Sequence, residues 1–169
     1  RYVDDISLPG LCHGVTVLSP HAHARIKRID VSKAKAATGV IAVLNGADAV
    51  KDKLGTLTSH LMPEDFGAPK GHRTFQPLLC ADKVRFVGDR VAFVVAETLT
   101  QARDAAELGE VDYEPLPAVV NLEDAAKDGA PKVYEDCPQG NVGFRLMFGS
   151  KDATDAAFAH LTKEAEAPS

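Results

Sequence analysis

Paired cysteines, glycine-rich phosphate loops, long apolar runs and a basic charge balance are all missing from this chain. Each absence removes a class of function. The three cysteines, Cys12, Cys80 and Cys137, are odd in number and widely spaced. No C-x-x-C pair exists, which argues against a zinc or iron–sulfur site and fits reduced, partly buried thiols. Neither G-x-G-x-x-G nor G-x-x-x-x-G-K-[ST] occurs, so no phosphate loop of either kind is expected. The G-x-S-x-G turn that presents a nucleophilic serine is absent too. No apolar run approaches a membrane span. The 19 basic residues fall short of the 24 acidic ones, and the net charge of −5 argues against a nucleic-acid binder. The opening Arg1-Tyr2-Val3-Asp4-Asp5 has neither an initiating Met nor the apolar core of a signal peptide. A cut or processed start and a cytoplasmic protein are therefore expected. Repeats, low-complexity runs and interdomain linkers are also lacking.

What is present is an ordinary globular composition, 45% hydrophobic and 25% charged over 169 residues. One domain over residues 1–163 is expected, with a disordered tail at 164–169. Residues 11–18 and 24–31 read as strands, ended and separated by Pro20. Ser32 is expected to cap a short helix over 33–37, followed by a strand at 40–44 and a turn at Asn45-Gly46. Residues 51–78 read as one long irregular loop. Residues 84–87 and 90–96 read as a hairpin about Gly88-Asp89, and the run Val91–Ala96 is apolar on both faces, as in a central strand. Thr98-Leu99-Thr100-Gln101 is a capping-box pattern opening a helix to about Leu108. A strand at 110–113 ends at Pro115 and Pro117, because neither proline can donate a ladder hydrogen bond. Asn121 caps a short helix over 122–127, with Gly129 near its end. Residues 141–148 have strand character. Asp152 is expected to cap a last helix that docks Ala153, Ala156, Ala157 and Leu161 on the core. The alternation of strand and helix indicates α/β or α+β packing.

Four groups of residues invite a chemical reading. His21 and His23, two apart, would share one face of a strand and could form half of a metal site. A third ligand would have to come from His13, His60, His72 or a carboxylate. Lys83 within Ala81-Asp82-Lys83-Val84 echoes the modifiable lysine of a lipoyl carrier, but the carrier's second motif is absent. An unmodified surface lysine is the plainer expectation. Asp4 and Asp5 point to opposite faces, and Asp112 with Glu114 precede prolines on what reads as a solvated edge, so neither pair is expected to do acid–base work. Cys80 and His21 would be the first candidates for a small thiol or metal enzyme.

Four ordered blocks resemble a known family. They are Tyr2-Val3-Asp4-Asp5-Ile6-Ser7-Leu8-Pro9-Gly10-Leu11, then Ser19-Pro20-His21-Ala22-His23-Ala24-Arg25-Ile26. The third is Lys83-Val84-Arg85-Phe86-Val87-Gly88-Asp89-Arg90-Val91-Ala92-Phe93-Val94-Val95-Ala96-Glu97, and the fourth is Val111-Asp112-Tyr113-Glu114-Pro115-Leu116-Pro117-Ala118-Val119-Val120. Together they resemble the N-terminal α/β hammerhead domain of the molybdenum hydroxylase large subunit, the family of xanthine dehydrogenase, aldehyde oxidase and aerobic carbon monoxide dehydrogenase. The resemblance implies an α+β fold, a mixed β-sheet with helices on one side and a hammerhead β motif. It implies a structural, non-catalytic role, with no catalytic, cofactor-binding or metal residue in this chain. The parent enzyme would use molybdopterin, with [2Fe–2S] clusters and FAD in other domains or subunits, and these parts would be the domain's partners. Cys12 stands where members often carry Met or Leu, and Asp89-Arg90 where they often carry Glu-Pro. The alternatives by residue reading are a barrel-sandwich binding or carrier module centred on Lys83 and a small metal or thiol enzyme. The loop 51–78, with Leu54, Leu57, Leu61, Met62, Phe66 and Phe75, is expected to be an interdomain contact.

Overall fold

The computed structural model describes residues 2, 5–57 and 61–166, the last five by backbone alone. Two compact units form, one from Arg1–His60 with His72–Gly143, the other from Leu61–Gly71 with Phe144–Ser169.

The first unit is built on two three-stranded antiparallel sheets. In sheet A, β7 (Arg90–Ala96) lies between β1 (His13–Leu18) and β3 (Val40–Asn45). In sheet B, β2 (Ala24–Asp30) lies between β6 (Lys83–Val84) and β8 (Glu110–Pro115). A two-stranded pair, β4 (Thr56–Leu57) with β5 (Gln76–Pro77), lies apart from both. The helices are α1 (Ser32–Ala36), α2 (Gly46–Lys51), α3 (Leu99–Glu107) and α4 (Leu122–Ala125). The expected α+β class is what the chain forms, and the mixed sheet of that expectation is realised as these antiparallel sheets. Val91–Ala96 is central, as its composition indicates.

The core lies between one face of sheet A, sheet B, and helices α1 and α3. Val43 and Val94 pack with Val31, Ala34 and Ala105, while Ala24, Ile26, Cys80, Val84 and Val91 form a second cluster. Val17 and Ile29 touch both. Each fully buried valine contributes roughly 1.5–3 kcal/mol. Helix α3 begins where the sequence indicates: the Thr98 side chain accepts from the Gln101 N–H at 3.2 Å, and Gln101 Oε1 accepts from the Thr98 N–H at 3.0 Å. Asn121 likewise caps α4.

Several local expectations are corrected. Gly88-Asp89 does not close a hairpin: β6 pairs with β2 and β7 with β1 and β3, so the turn passes the chain from one sheet to the other. Asn45-Gly46 is a helix start, because Asn45 accepts from the N–H groups of Ala47 and Asp48 while Asp48 accepts from the Asn45 N–H. Ser32 is the first residue of α1 and caps nothing; its N–H and hydroxyl both donate to Asp30. The 51–78 stretch holds β4, β5 and a 3₁₀ turn, Pro63–Phe66. Residues 141–148 form no strand, since Asn141 spends its side chain bridging Ala125, Pro131 and Val133 instead.

The second unit carries the 3₁₀ turn and helix α5 (Lys151–Glu166). Ser150, not Asp152, begins α5, its hydroxyl accepting from the Ala153 N–H at 3.3 Å. Ala153, Ala156, Ala157 and Leu161 are all exposed, so the expected apolar stripe is not buried. Within this unit Phe66 meets Phe148 edge to face at 6.4 Å. Residues 167–169 of the expected tail lie outside the described residues.

Candidate functional site

A polar cluster of the first unit surrounds the corner that passes the chain from sheet B to sheet A. At its centre is Asp89, only 2% exposed. One carboxylate oxygen accepts from the Arg85 N–H at 2.9 Å, the other from the Arg90 N–H at 3.1 Å. The same carboxylate raises the ionisation of the buried Cys80 thiol. The Asp89 carbonyl accepts from the Ser19 N–H and the Ser19 carbonyl from the Gly88 N–H, both at 2.8 Å. The Ser19 hydroxyl accepts from the His21 N–H at 3.1 Å. The Arg85 guanidinium lies 4.7 Å over the Tyr134 ring, an arrangement that stabilises the cation. Burial pushes up the ionisation of Tyr113 and Tyr134. The end of β1 and the start of β7 are thus tied together through Ser19, Gly88 and Asp89.

The chemistry open to the cluster is limited. Burial first, then the Asp89 hydrogen bond, pushes the Cys80 thiol up to about 12. A thiol that stays protonated is a poor nucleophile, so the cysteine-enzyme alternative loses its candidate. His21 does not act on it either; its ring stacks against Tyr113 at 4.7 Å. His21 and His23 precede β2 rather than lying on a strand, because Ser19 and Pro20 turn the chain there; the Ser19 hydroxyl accepts from the His21 N–H at 3.1 Å. His23 is buried with Nδ1 2.8 Å from the Pro117 carbonyl oxygen. Among the described residues, no three His, Cys, Asp or Glu side chains converge as a metal site. His60 and Asp4 lie outside those residues.

Lys83 is not a surface lysine at a hairpin tip. It is 7% exposed, pairs with Arg25 across the β2–β6 ladder and donates to Glu135. That bond holds the Glu135 carboxyl below the usual range. Such a lysine is not presented to a modifying enzyme, which removes the basis of the carrier alternative. Asp112 and Glu114 are exposed on the β8 edge, paired with Arg28 and with Arg25 and Lys27 at 3.5–3.9 Å. Asp5 is exposed, accepting from the Tyr2 N–H. Cys12 is exposed, and Cys137 is buried with its thiol toward the Val142 carbonyl. Asp89 and Asn141 are the hubs that sequence reasoning missed; a turn aspartate and a loop asparagine carry no local sign of burial. The positive-φ glycines of the described residues sit singly along the chain, with no two adjacent. None of molybdopterin's chemistry is assigned to residues of this chain.

The other feature with functional meaning is a surface. The face of sheet A turned away from the core carries Gly14, Thr16 and Leu18 from β1, Phe93 and Val95 from β7, and Ala42 and Leu44 from β3. Leu18 is 54% and Leu44 39% exposed. Gly14 is required there, because a Cβ would lie 2.4 Å from Phe93 Cζ.

Comparison with known proteins places these features. The chain is 46% identical over 170 residues to the carbon monoxide dehydrogenase large chain of Afipia carboxidovorans, covering 94% of this chain and 20% of that one. It is 34% identical over 155 residues to a probable xanthine dehydrogenase polypeptide of Bacillus subtilis, covering 92% and 18%. Among solved structures, a Cu,Mo-CO dehydrogenase matches with TM-score 0.71 and 44% identity over 94% of this chain and 20% of that chain. Quinoline 2-oxidoreductase from Pseudomonas putida 86 matches with TM-score 0.70 and 42% identity over 79% and 16%. The chain thus spans about a fifth of the length of the carbon monoxide dehydrogenase relatives it matches. A family model described as "Aldehyde oxidase and xanthine dehydrogenase, a/b hammerhead domain" matches residues 1–117, and the chain belongs to that family.

Proposed function

We propose that the chain is the structural, non-catalytic hammerhead part, residues 1–163, of the large subunit of a cytoplasmic molybdopterin-dependent oxidoreductase. The observation that carries this reading is the match over 94% of this chain to only a fifth of a carbon monoxide dehydrogenase large chain. The parent's reaction is carbon monoxide oxidation or the hydroxylation of an aldehyde, purine or N-heterocycle. Carbon monoxide oxidation is the first to test, because a carbon monoxide dehydrogenase large chain matches at 46% identity over 94% of this chain. Molybdopterin would be held by the remainder of the same subunit, and [2Fe–2S] clusters and FAD by other domains or subunits. Leu54, Leu57, Phe66 and Phe75 in the 51–78 stretch are exposed and supply apolar contact surface, whereas Met62 is buried.

The test is purification of the native enzyme with an antibody against this segment. The expected result is a polypeptide several times longer than 18.0 kDa that contains molybdenum and reduces a dye with carbon monoxide or an aromatic heterocycle. A free 18.0-kDa polypeptide without associated molybdenum refutes the reading.

A further inference from the structure

The two sheets of the first unit meet solvent in opposite ways. The outward side of sheet B is charged: Arg25, Arg28, Asp112 and Glu114 sit there in cross-strand ion pairs, and Lys27 joins them. That is how a sheet face kept in water is built. The outward face of sheet A has no charged side chain among Gly14, Thr16, Leu18, Ala42, Leu44, Phe93 and Val95. Ile41, at the irregularity between Val40 and Ala42, adds a further apolar side chain that is 56% exposed. Arg90, opposite Leu18 at one end of the face, is its charged residue, and its guanidinium donates to the Pro77 carbonyl oxygen at 3.4 Å. Strands β1 and β3 are the edges of this sheet, each with an unpaired ladder side. A largely apolar sheet face whose two edge strands are unpaired on one side among the described residues invites aggregation unless something covers it.

We propose that this face is the seat of the remaining polypeptide of the same large subunit, an inference that rests on the functional reading above. Two arguments select that occupant. Eight residues of this kind offer on the order of a few hundred Å², against roughly 800 Å² per partner for a stable free-standing complex. A second copy or a separate subunit would therefore gain too little from the patch, whereas a covalently linked segment binds at an effective concentration of about millimolar. The second argument is length: about four fifths of each carbon monoxide dehydrogenase relative lies outside the part this chain matches, so the linked segment is available. The occupant presents an uncharged, predominantly aliphatic or aromatic surface, since any charge set against this face would be desolvated without a partner.

The experiment uses the full-length large subunit in the purified enzyme. Benzoylphenylalanine replaces Leu44, and a Leu44→Cys variant is made in a Cys12→Ser background. On irradiation, the cross-link is expected to stay within one large subunit and to join position 44 to a residue beyond 169. Maleimide labelling of the cysteine is expected to be at least about tenfold slower in the native enzyme than in urea, the ratio reporting the local opening equilibrium. Labelling within twofold of the urea rate, on that same scale, overturns the inference. So does a cross-linked product of doubled mass, a product joined to another subunit, or a link confined to residues 1–169. Detection of the segment only as an 18.0-kDa polypeptide instead refutes the parent reading, and the inference with it.

Discussion

Replacing Asp89 by Ala takes away the acceptor on which the corner between the sheets depends. The Arg85 and Arg90 N–H groups, at 2.9 and 3.1 Å from the carboxylate, both lose their partner. A buried backbone donor left unpaired costs about 1–3 kcal/mol. Two such donors cost about 2–6 kcal/mol if the space stays dry. The vacated carboxylate volume can admit a water, which brings the expected value to about 3 kcal/mol. For a chain of this length that corresponds to a fall of about 6–12 °C in Tm. Asp89→Asn keeps one acceptor oxygen but turns an NH2 toward a backbone N–H, so its loss is expected to lie between wild type and Ala. Urea denaturation followed by circular dichroism gives the stability order. A second readout comes from Cys80, whose thiol is held at about 12 by burial first and by Asp89 second. Without Asp89, the pH profile of Cys80 alkylation shifts downward yet stays above the ordinary thiol value of 9.0, because burial remains. If Asp89→Ala stays within about 0.5 kcal/mol of wild type, as an ordinary surface change would, the corner does not depend on this carboxylate and the reasoning fails.

Three further outcomes are expected. Gly46→Ala should destabilise although Ala is the better helix former by about 1 kcal/mol, because its Cβ would lie 2.3 Å from the Cys80 carbonyl oxygen; a rise in Tm would show that the backbone gives way there. Val94→Asp places a charge at a position 1% exposed between β1 and β3, and circular dichroism should find the chain unfolded at 25 °C. Glu135 has a carboxyl held below its ordinary 4.5, chiefly by the Lys83 hydrogen bond. A lowered folded value stabilises above the unfolded value and is lost as pH falls through the folded one. The tie between Lys83 and Glu135 should therefore persist at pH 5 and release below 4.5, seen as an NMR titration of Glu135 under that value; a Glu135 titrating at its ordinary position would contradict the contact.

What could be read from the chain was whatever local signals decide alone. Thr98 with Gln101 announces α3, Asn121 announces α4, and the run Val91–Ala96 announces a central strand. Family membership was legible from four ordered blocks, which no single motif would have carried. What stayed hidden was decided by distant partners. Gly88-Asp89 looks the same whether the flanking strands return to each other or leave for two sheets, and only Ala24 and Val15, far upstream, settle it. Asn45-Gly46 supports two local readings, and the helix wins because Asp48 completes the box. The polar corner was illegible for the same reason: burial of Asp89 follows from Ser19 meeting it across seventy residues of chain. The apolar character of β7 on both sides suggested a strand buried on both, yet only the side bearing Val94 is covered by this unit's own elements.

The pairing order has a consequence for synthesis. Strand β1 finds its partner only when β7 has been made, His13 facing Ala96, and β3 waits for the same strand. Strand β2 has nothing to pair with until Lys83 and Val84 emerge, and its longer ladder waits for Glu110–Pro115. A ribosome therefore extrudes β1, β2 and β3 before either sheet can close. Such non-local closure is slow, and the unpaired strands are exposed in the meantime. Folding of this domain is accordingly a late event in translation of its own segment, and chaperone occupancy on the nascent chain should end once residue 115 has cleared the exit tunnel.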